Sequence, residues 1–227
     1  MKKTIFVLLG ILAFQFAQAQ DEDKVSVPAN PMMESIRLAN QLASYGYNNY
    51  SATALIEAAK ILMSVPTQEL IADSTQLSSS SENTKSSGRP DITVDRLLAD
   101  AALWAGEDKH ITDYLEDVKK EYSSISSGPS RGATGGPQSA ISSVSAKDTD
   151  VWTVTFRGGS RAMVVVNGDG DTDLDLYVYD ENGNLMGKDI DYSDYCVVSW
   201  TPRWTGPFTV KIINRGNVYN RYRIYTN

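Results

Sequence analysis

The chain has 227 residues, 22% charged and 41% hydrophobic, with a formal net charge of -7, one cysteine and one histidine. At roughly 100 to 200 residues per domain this is one or two domains. Cys196 alone builds no disulfide framework, Cys196 with His110 is too few ligands for a thiolate and imidazole zinc site, and the acidic balance argues against nucleic acid, whose affinity rests on Lys and Arg neutralising phosphates.

The first segment has the three parts of a secretory signal peptide in order: Lys2 and Lys3, an apolar run over 5–14, and the small-residue pattern of Ala17, Gln18 and Ala19. Residues 1–19 are therefore expected to be removed on export. The apolar run is shorter than the about 20 residues that span a bilayer. No transmembrane segment is expected in the mature chain, whose place is periplasmic, cell-surface or extracellular.

From 29 to 122 the apolar residues repeat with helical spacing. Ile36, Leu38, Ala39, Leu42 and Ala43 precede Gly46, read as the joint of a hairpin, and Ala54, Leu55, Ala58, Ala59, Ile61 and Leu62 follow it. The same layout recurs around Gly106, with Leu97, Leu98, Ala101 and Ala102 before the break and Tyr114, Leu115 and Val118 after it. Leu38, Ala39, Asn40 and Gly46 match Leu98, Ala99, Asp100 and Gly106 at a constant offset of 60. The pairs weakly resemble tetratricopeptide-type helical hairpins, at a spacing longer than the about 34 residues of that repeat. A Ser-rich stretch over 73–90 lacks the apolar content to offset its ordering entropy and reads as a loop. A second such stretch, 123–147, reads as an interdomain linker.

Beyond 147 the period changes from 3.6 to 2, with short strands separated by turn residues. The alternate positions Trp152, Val154, Phe156, Leu174, Leu176, Val178, Cys196, Val198, Trp200, Phe208, Val210, Ile212, Tyr222 and Ile224 form the expected core. The fold class is α+β: a small α-helical bundle followed by an antiparallel, jelly-roll-like β-sandwich over 148–227. Cys196 lies on the core face and reads as a buried, unreactive thiol.

Within the sandwich, the run Gly168, Asp169, Gly170, Asp171, Thr172, Asp173, Leu174, Asp175, Leu176, Tyr177, the Asn182 and Gly183 turn, and Trp204, Thr205 and Gly206 ahead of the next strand resemble the bacterial pre-peptidase C-terminal domain. The resemblance covers 148–227. It implies an accessory module of exported proteins, with relatives in collagenases that bind calcium and substrate fibres. No peptidase precedes it here.

Residues 169–194 hold nine acids and one base, whereas 195–227 hold five bases and no acid. Crowded carboxylates repel unless a cation or arginines compensate. Asp169, Asp171, Asp173, Asp175 and Asp180 are the candidate calcium ligands. The alternative is that Arg221 and Arg223, on the last strand with Tyr219 and Tyr225, neutralise the face of Asp173, Asp175, Tyr177 and Tyr179. Tyr177, Tyr179, Trp204, Tyr219, Arg221, Arg223 and Tyr225 are the candidate ligand-contact residues, because aromatic patches pair an apolar face with a polar handle.

No nucleophile elbow or metalloprotease motif occurs. His110 begins a helix and reads as a solvent-facing cap residue. The expected function is an exported, non-catalytic binding or adhesion accessory, with an extracellular or envelope protein or a polysaccharide as partner. The alternatives are a helical scaffold for an exported partner, with the sandwich serving secretion or stability, and thirdly an unrecognised hydrolase.

Overall fold

The computed structural model describes residues 30–76, 92–126 and 136–227. The signal segment 1–19 and most of the Ser-rich stretch lie outside them. Among the described residues four helices come first. The first, α1 (Pro31–Asn49), starts at Asn30, whose Oδ1 accepts from the N–H of Met32 at 3.0 Å and of Met33 at 3.4 Å, with Pro31 in the first helical position. Ser51 and Thr93 cap α2 (Ala52–Ser64) and α3 (Val94–Ala105) in the same way. Asp108 accepts from the His110 and Ile111 amides at the start of α4 (Lys109–Ser126), so the cap is Asp108, and His110 is an exposed residue of the first turn.

Gly46 is not the joint of the first hairpin. The helix continues to Asn49, and Tyr50 takes the left-handed conformation at φ 52 while its N–H returns to the Gly46 carbonyl. Gly46 instead lets two helices touch: a Cβ there would stand 2.5 Å from Leu55 Cδ2 on α2. Gly106 does end α3, at φ 57. The 60-residue match is thus only partly structural: Asn40 and Asp100 are both buried, but Leu38 is 53% exposed where Leu98 is 3%, and the two glycines do different work. Leu55, Ile56, Leu97, Ala101, Leu115 and Val118 make the core of this helical unit.

Among the described residues ten strands form two five-stranded sheets. They are β1 (Gln68–Glu69), β2 (Asp73–Gln76), β3 (Gln138–Val144), β4 (Thr149–Phe156), β5 (Ala162–Asn167), β6 (Leu174–Tyr179), β7 (Leu185–Asp189), β8 (Tyr195–Trp200), β9 (Gly206–Asn214) and β10 (Asn220–Thr226). Sheet A has the order β1-β3-β10-β5-β8 and sheet B the order β2-β4-β9-β6-β7. Without β1 and β2, the remaining eight strands cross from one sheet to the other at every connection except the β6–β7 hairpin, as a jelly roll, all their neighbours antiparallel. The expected core positions face inward and are buried, except that Trp200 is only partly so.

Two boundaries differ from those the sequence predicts. The stretch 123–147 holds the last turn of α4 and all of β3, a full partner of β10, so it is not a simple linker. The segment after α2 supplies β1, parallel to β3, and β2, antiparallel to β4. The helical region thus contributes an edge strand to each sheet. Its helices also dock on sheet A: Met33 and Ile36 of α1, with Val65, bury Met163, Val165 and Tyr225. At about 1.5 to 3 kcal/mol for each large apolar side chain withdrawn from water, this contact joins the two units firmly.

Candidate functional site

The acids Asp169 to Asp175, with Asp194, lie at one end of the sandwich, and several of them already have protein partners there. Asp169 accepts from the Asp171 amide at 3.3 Å and from the Arg221 amide at 2.8 Å. Asp194 accepts from the Gly170 N–H, and its carbonyl accepts from Gly168 at 2.8 Å. Gly168 is required by this closeness, because a Cβ there would meet Asn220 and Asp194 side chains. Asp175 is buried and ion-paired with Arg215, whose Nη2 is 2.5 Å away and whose Nε donates at 2.7 Å. Asp173 is held above the usual carboxylate range by burial and by the neighbouring Asp175 and Asp191, with Asp194 adding to this and Arg215 opposing it.

Asp180 sits at the other end of β6, in the turn to β7. It accepts from the Asn182 and Asn184 amides at 2.9 and 2.8 Å and from Asn184 Nδ2 at 2.9 Å. Those bonds hold its carboxyl below the usual range. A six-residue strand at about 3.3 Å per residue separates it from Asp173. Asp169, Asp171, Asp173, Asp175 and Asp180 therefore do not fit a single calcium shell. Among the described residues no three His, Cys, Asp or Glu side chains are grouped to hold a metal ion.

The candidate ligand-contact residues are divided between the sheets. Tyr177 and Tyr179 stand on the outer face of sheet B, half-buried, with nearly parallel rings (11°) whose centroids are 6.3 Å apart. Lys211 Nζ, one strand over on β9, is 5.2 Å from the Tyr179 ring centre. Trp204 is exposed at one end, and its backbone passes so close to Gly158 that a Cβ on that glycine would lie 2.6 Å from it.

Tyr219, Arg221, Arg223 and Tyr225 belong to β10 or the turn before it, in sheet A. β10 lies in the other sheet from β6, and the arginine paired with Asp175 comes from elsewhere. Arg215, at the end of β9, is that arginine; it lies in the β9-to-β10 turn, which the sequence marks only as a connection. Tyr225 is not on an open face: it is 3% exposed beneath α1 and Val65, and burial pushes its hydroxyl up. The sequence misplaces this position because alternation along one strand shows which residues face outward, but not what another element lays over them.

Cys196 is fully buried, its thiol donating to the Leu174 carbonyl at 3.1 Å and pushed up by burial. His110 is exposed on α4. The one histidine and the one thiol thus lie in different units. A cleft of about 150 Å³ opens where the ends of α2 and α3 meet Arg223 and Tyr225 of β10.

Fold and surface together define a helix-faced jelly-roll module with one open aromatic sheet. No family model matches the chain, and no curated protein matches it. Similar solved structures include a mitogen from Yersinia pseudotuberculosis, at 12% identity over 40% of this chain and 85% of that chain with a TM-score of 0.34. The pre-peptidase C-terminal domain of a Bacillus anthracis collagenase is 14% identical over 40% of this chain and 88% of that domain, with a TM-score of 0.33. PliG from Aeromonas hydrophila, a periplasmic inhibitor of g-type lysozyme, is 14% identical over 44% and 90%, with a TM-score of 0.33. A pre-peptidase C-terminal domain is thereby among the structures similar to this chain, as the motif resemblance implied. No helix among the described residues is long and apolar enough to cross a membrane.

Proposed function

We propose that the protein is an exported, non-catalytic binding module whose outer face of sheet B takes a polysaccharide chain. One observation carries this reading: the parallel Tyr177 and Tyr179 rings, with Lys211 beside Tyr179, stand on the sheet face that no described helix covers. Tyrosine rings offer sugar C–H faces a flat apolar surface and a hydroxyl at its edge. Lys211 and Thr209 on β9 supply hydrogen-bond donors alongside. Such a strip binds without a nucleophile, a general base or a metal.

The experiment is affinity electrophoresis of the wild type and of Tyr177→Ala with Tyr179→Ala in gels containing cell-wall and extracellular polysaccharides. Retardation by at least one polysaccharide, lost in the double variant with melting temperature retained, is the expected result. Retardation that survives the double variant would sink the reading. Binding of an envelope protein in place of polysaccharide through the same two residues would keep the face and change the partner.

A further inference from the structure

We propose that the cleft between the helical unit and sheet A is a binding site for an aliphatic carboxylate, separate from the open face of sheet B. The cleft measures about 150 Å³. Leu62 and Val65 close it from the end of α2, and Ile92 and Val94 from the start of α3. Arg223 and Thr67 supply its polar wall.

Arg223 determines the ligand's chemistry. A guanidinium stays charged at any pH a protein tolerates. This one points away from the sandwich core, half-buried under the helices, and its Nε is shielded from solvent with no hydrogen-bond partner. None of the ion pairs among the described residues involves it. A buried donor on a charged group is costly when unmade, so native structures usually hold a ligand or water against it.

Two threonine hydroxyls stand on the same wall. Thr67 Oγ1 accepts from Ser139 at 3.3 Å, which leaves its own proton to give. Thr93 Oγ1 accepts from the Arg96 amide. Arg223 and the Thr67 hydroxyl offer protons into the cleft, and the arginine fork matches a carboxylate with two parallel bonds. The apolar wall calls for a hydrocarbon remainder. An apolar cavity of this volume takes about six non-hydrogen atoms, which corresponds to the hydrocarbon part of a short branched acid or to the side chain and Cα of a C-terminal leucine or valine, with the carboxylate outside that count at Arg223.

Asn167 sets the competing occupant. It faces Arg223 across β5 and β10, and its Oδ1 is buried without a partner too, so a water bridging the two groups is the alternative.

Calorimetric titration of the exported-length chain decides between them. The probes are 4-methylpentanoate, 4-methylpentanol, and a short peptide ending in leucine as free acid and as amide. The acid is expected to saturate and the alcohol to bind at least about tenfold more weakly, because it lacks the charge that Arg223 reads. Arg223→Gln, checked by its melting temperature, should lose the preference for the acid. Tighter binding of the peptide acid than of the free acid assigns the site to chain termini, and the reverse assigns it to a small metabolite. Equal binding of acid and alcohol by the wild type, or no saturation by either acid up to about 10 mM, would overturn the proposal and leave the cleft to water. Undiminished binding by Arg223→Gln would overturn it as well.

Discussion

The two outer faces of the sandwich come from the same jelly roll and are opposite in environment. On sheet A, every residue of β5 is buried, because Val164 and Val166 face the sandwich core while Met163 and Val165 lie under α1. On sheet B, β4 alternates, with Trp152, Val154 and Phe156 inside and Thr153 and Thr155 exposed. A strand with both faces covered reads as a continuous apolar run, and a strand with one wet face alternates. The difference teaches where ligands can act. Sheet A offers a cleft at its helix junction, and sheet B offers a surface.

The largest expected effect is a direct attempt to break that contrast. Val165→Lys places an unpaired ammonium beneath α1 and should cost about 3 kcal/mol or more, since nothing apolar there can solvate it. Thr155→Lys puts the same charge on the open face of β4 and should stay within about 0.5 kcal/mol of wild type. Urea denaturation midpoints of the two variants measure the difference. Equal costs would mean that α1 does not cover sheet A in solution.

The next effect lies in the layer that both faces share. Trp152 Nε1 donates to the Tyr222 hydroxyl at 2.7 Å, Tyr222 donates to the Asp150 carboxylate, and Ser142 Oγ donates to the same oxygen at 3.0 Å. The chain of bonds joins β4 of sheet B to β3 and β10 of sheet A. Tyr222→Phe keeps the ring and removes the hydroxyl that serves both neighbours. It should therefore cost about 2 kcal/mol, more than the loss of one ordinary hydrogen bond. A change in unfolding free energy, from urea denaturation, under a quarter of that would show that the relay contributes nothing between the sheets.

Much of this architecture is legible in the order of the amino acids, and the omissions have physical causes. Period-2 alternation in β4, β6, β8, β9 and β10 shows the inner face because large side chains occupy it. The polar strands β1, β2 and β3 escape notice. Of the inner residues of β3, Ala140 and Val144 are small, and Ser142 is polar because its partner is the buried Asp150. These strands form because a neighbouring edge accepts them, a property absent from their own composition. The candidate site divides in the same way. Tyr177 and Tyr179 stand together because they are two residues apart on one strand. Arg223, Thr67 and Ile92 meet through three separate elements, and no local spacing announces that. Asp175 with Arg215 and the Asp180 turn account for acids that composition alone presents as a metal site.

The smallest effect concerns pH, and it separates the buried layer from the open turn by sign. Burial holds the Asp150 carboxyl above its ordinary range, with the bonds from Tyr222 and Ser142 opposing that and Asp148 adding to it. The folded state then binds the proton more tightly than the unfolded chain. Its contribution is complete below the unfolded value and is lost as pH rises through the folded one. Asp180 runs the other way: its bonds to Asn184 and Asn182 lower it, so its contribution is present above the unfolded value and lost as pH falls through the folded one. Asp150→Asn removes the first dependence and leaves the second. Asp173 is also raised and stays in both proteins, so the informative quantity is the difference between their curves. As pH rises above the ordinary carboxylate value of about 4, the variant should gain stability relative to wild type, at a slope below the about 1.4 kcal/mol per pH unit that one proton allows. Denaturation midpoints at several pH values give the curves. Parallel curves would show that Asp150 titrates in the fold as it does in the unfolded chain, and the buried relay would then be as open to water as the face of sheet B.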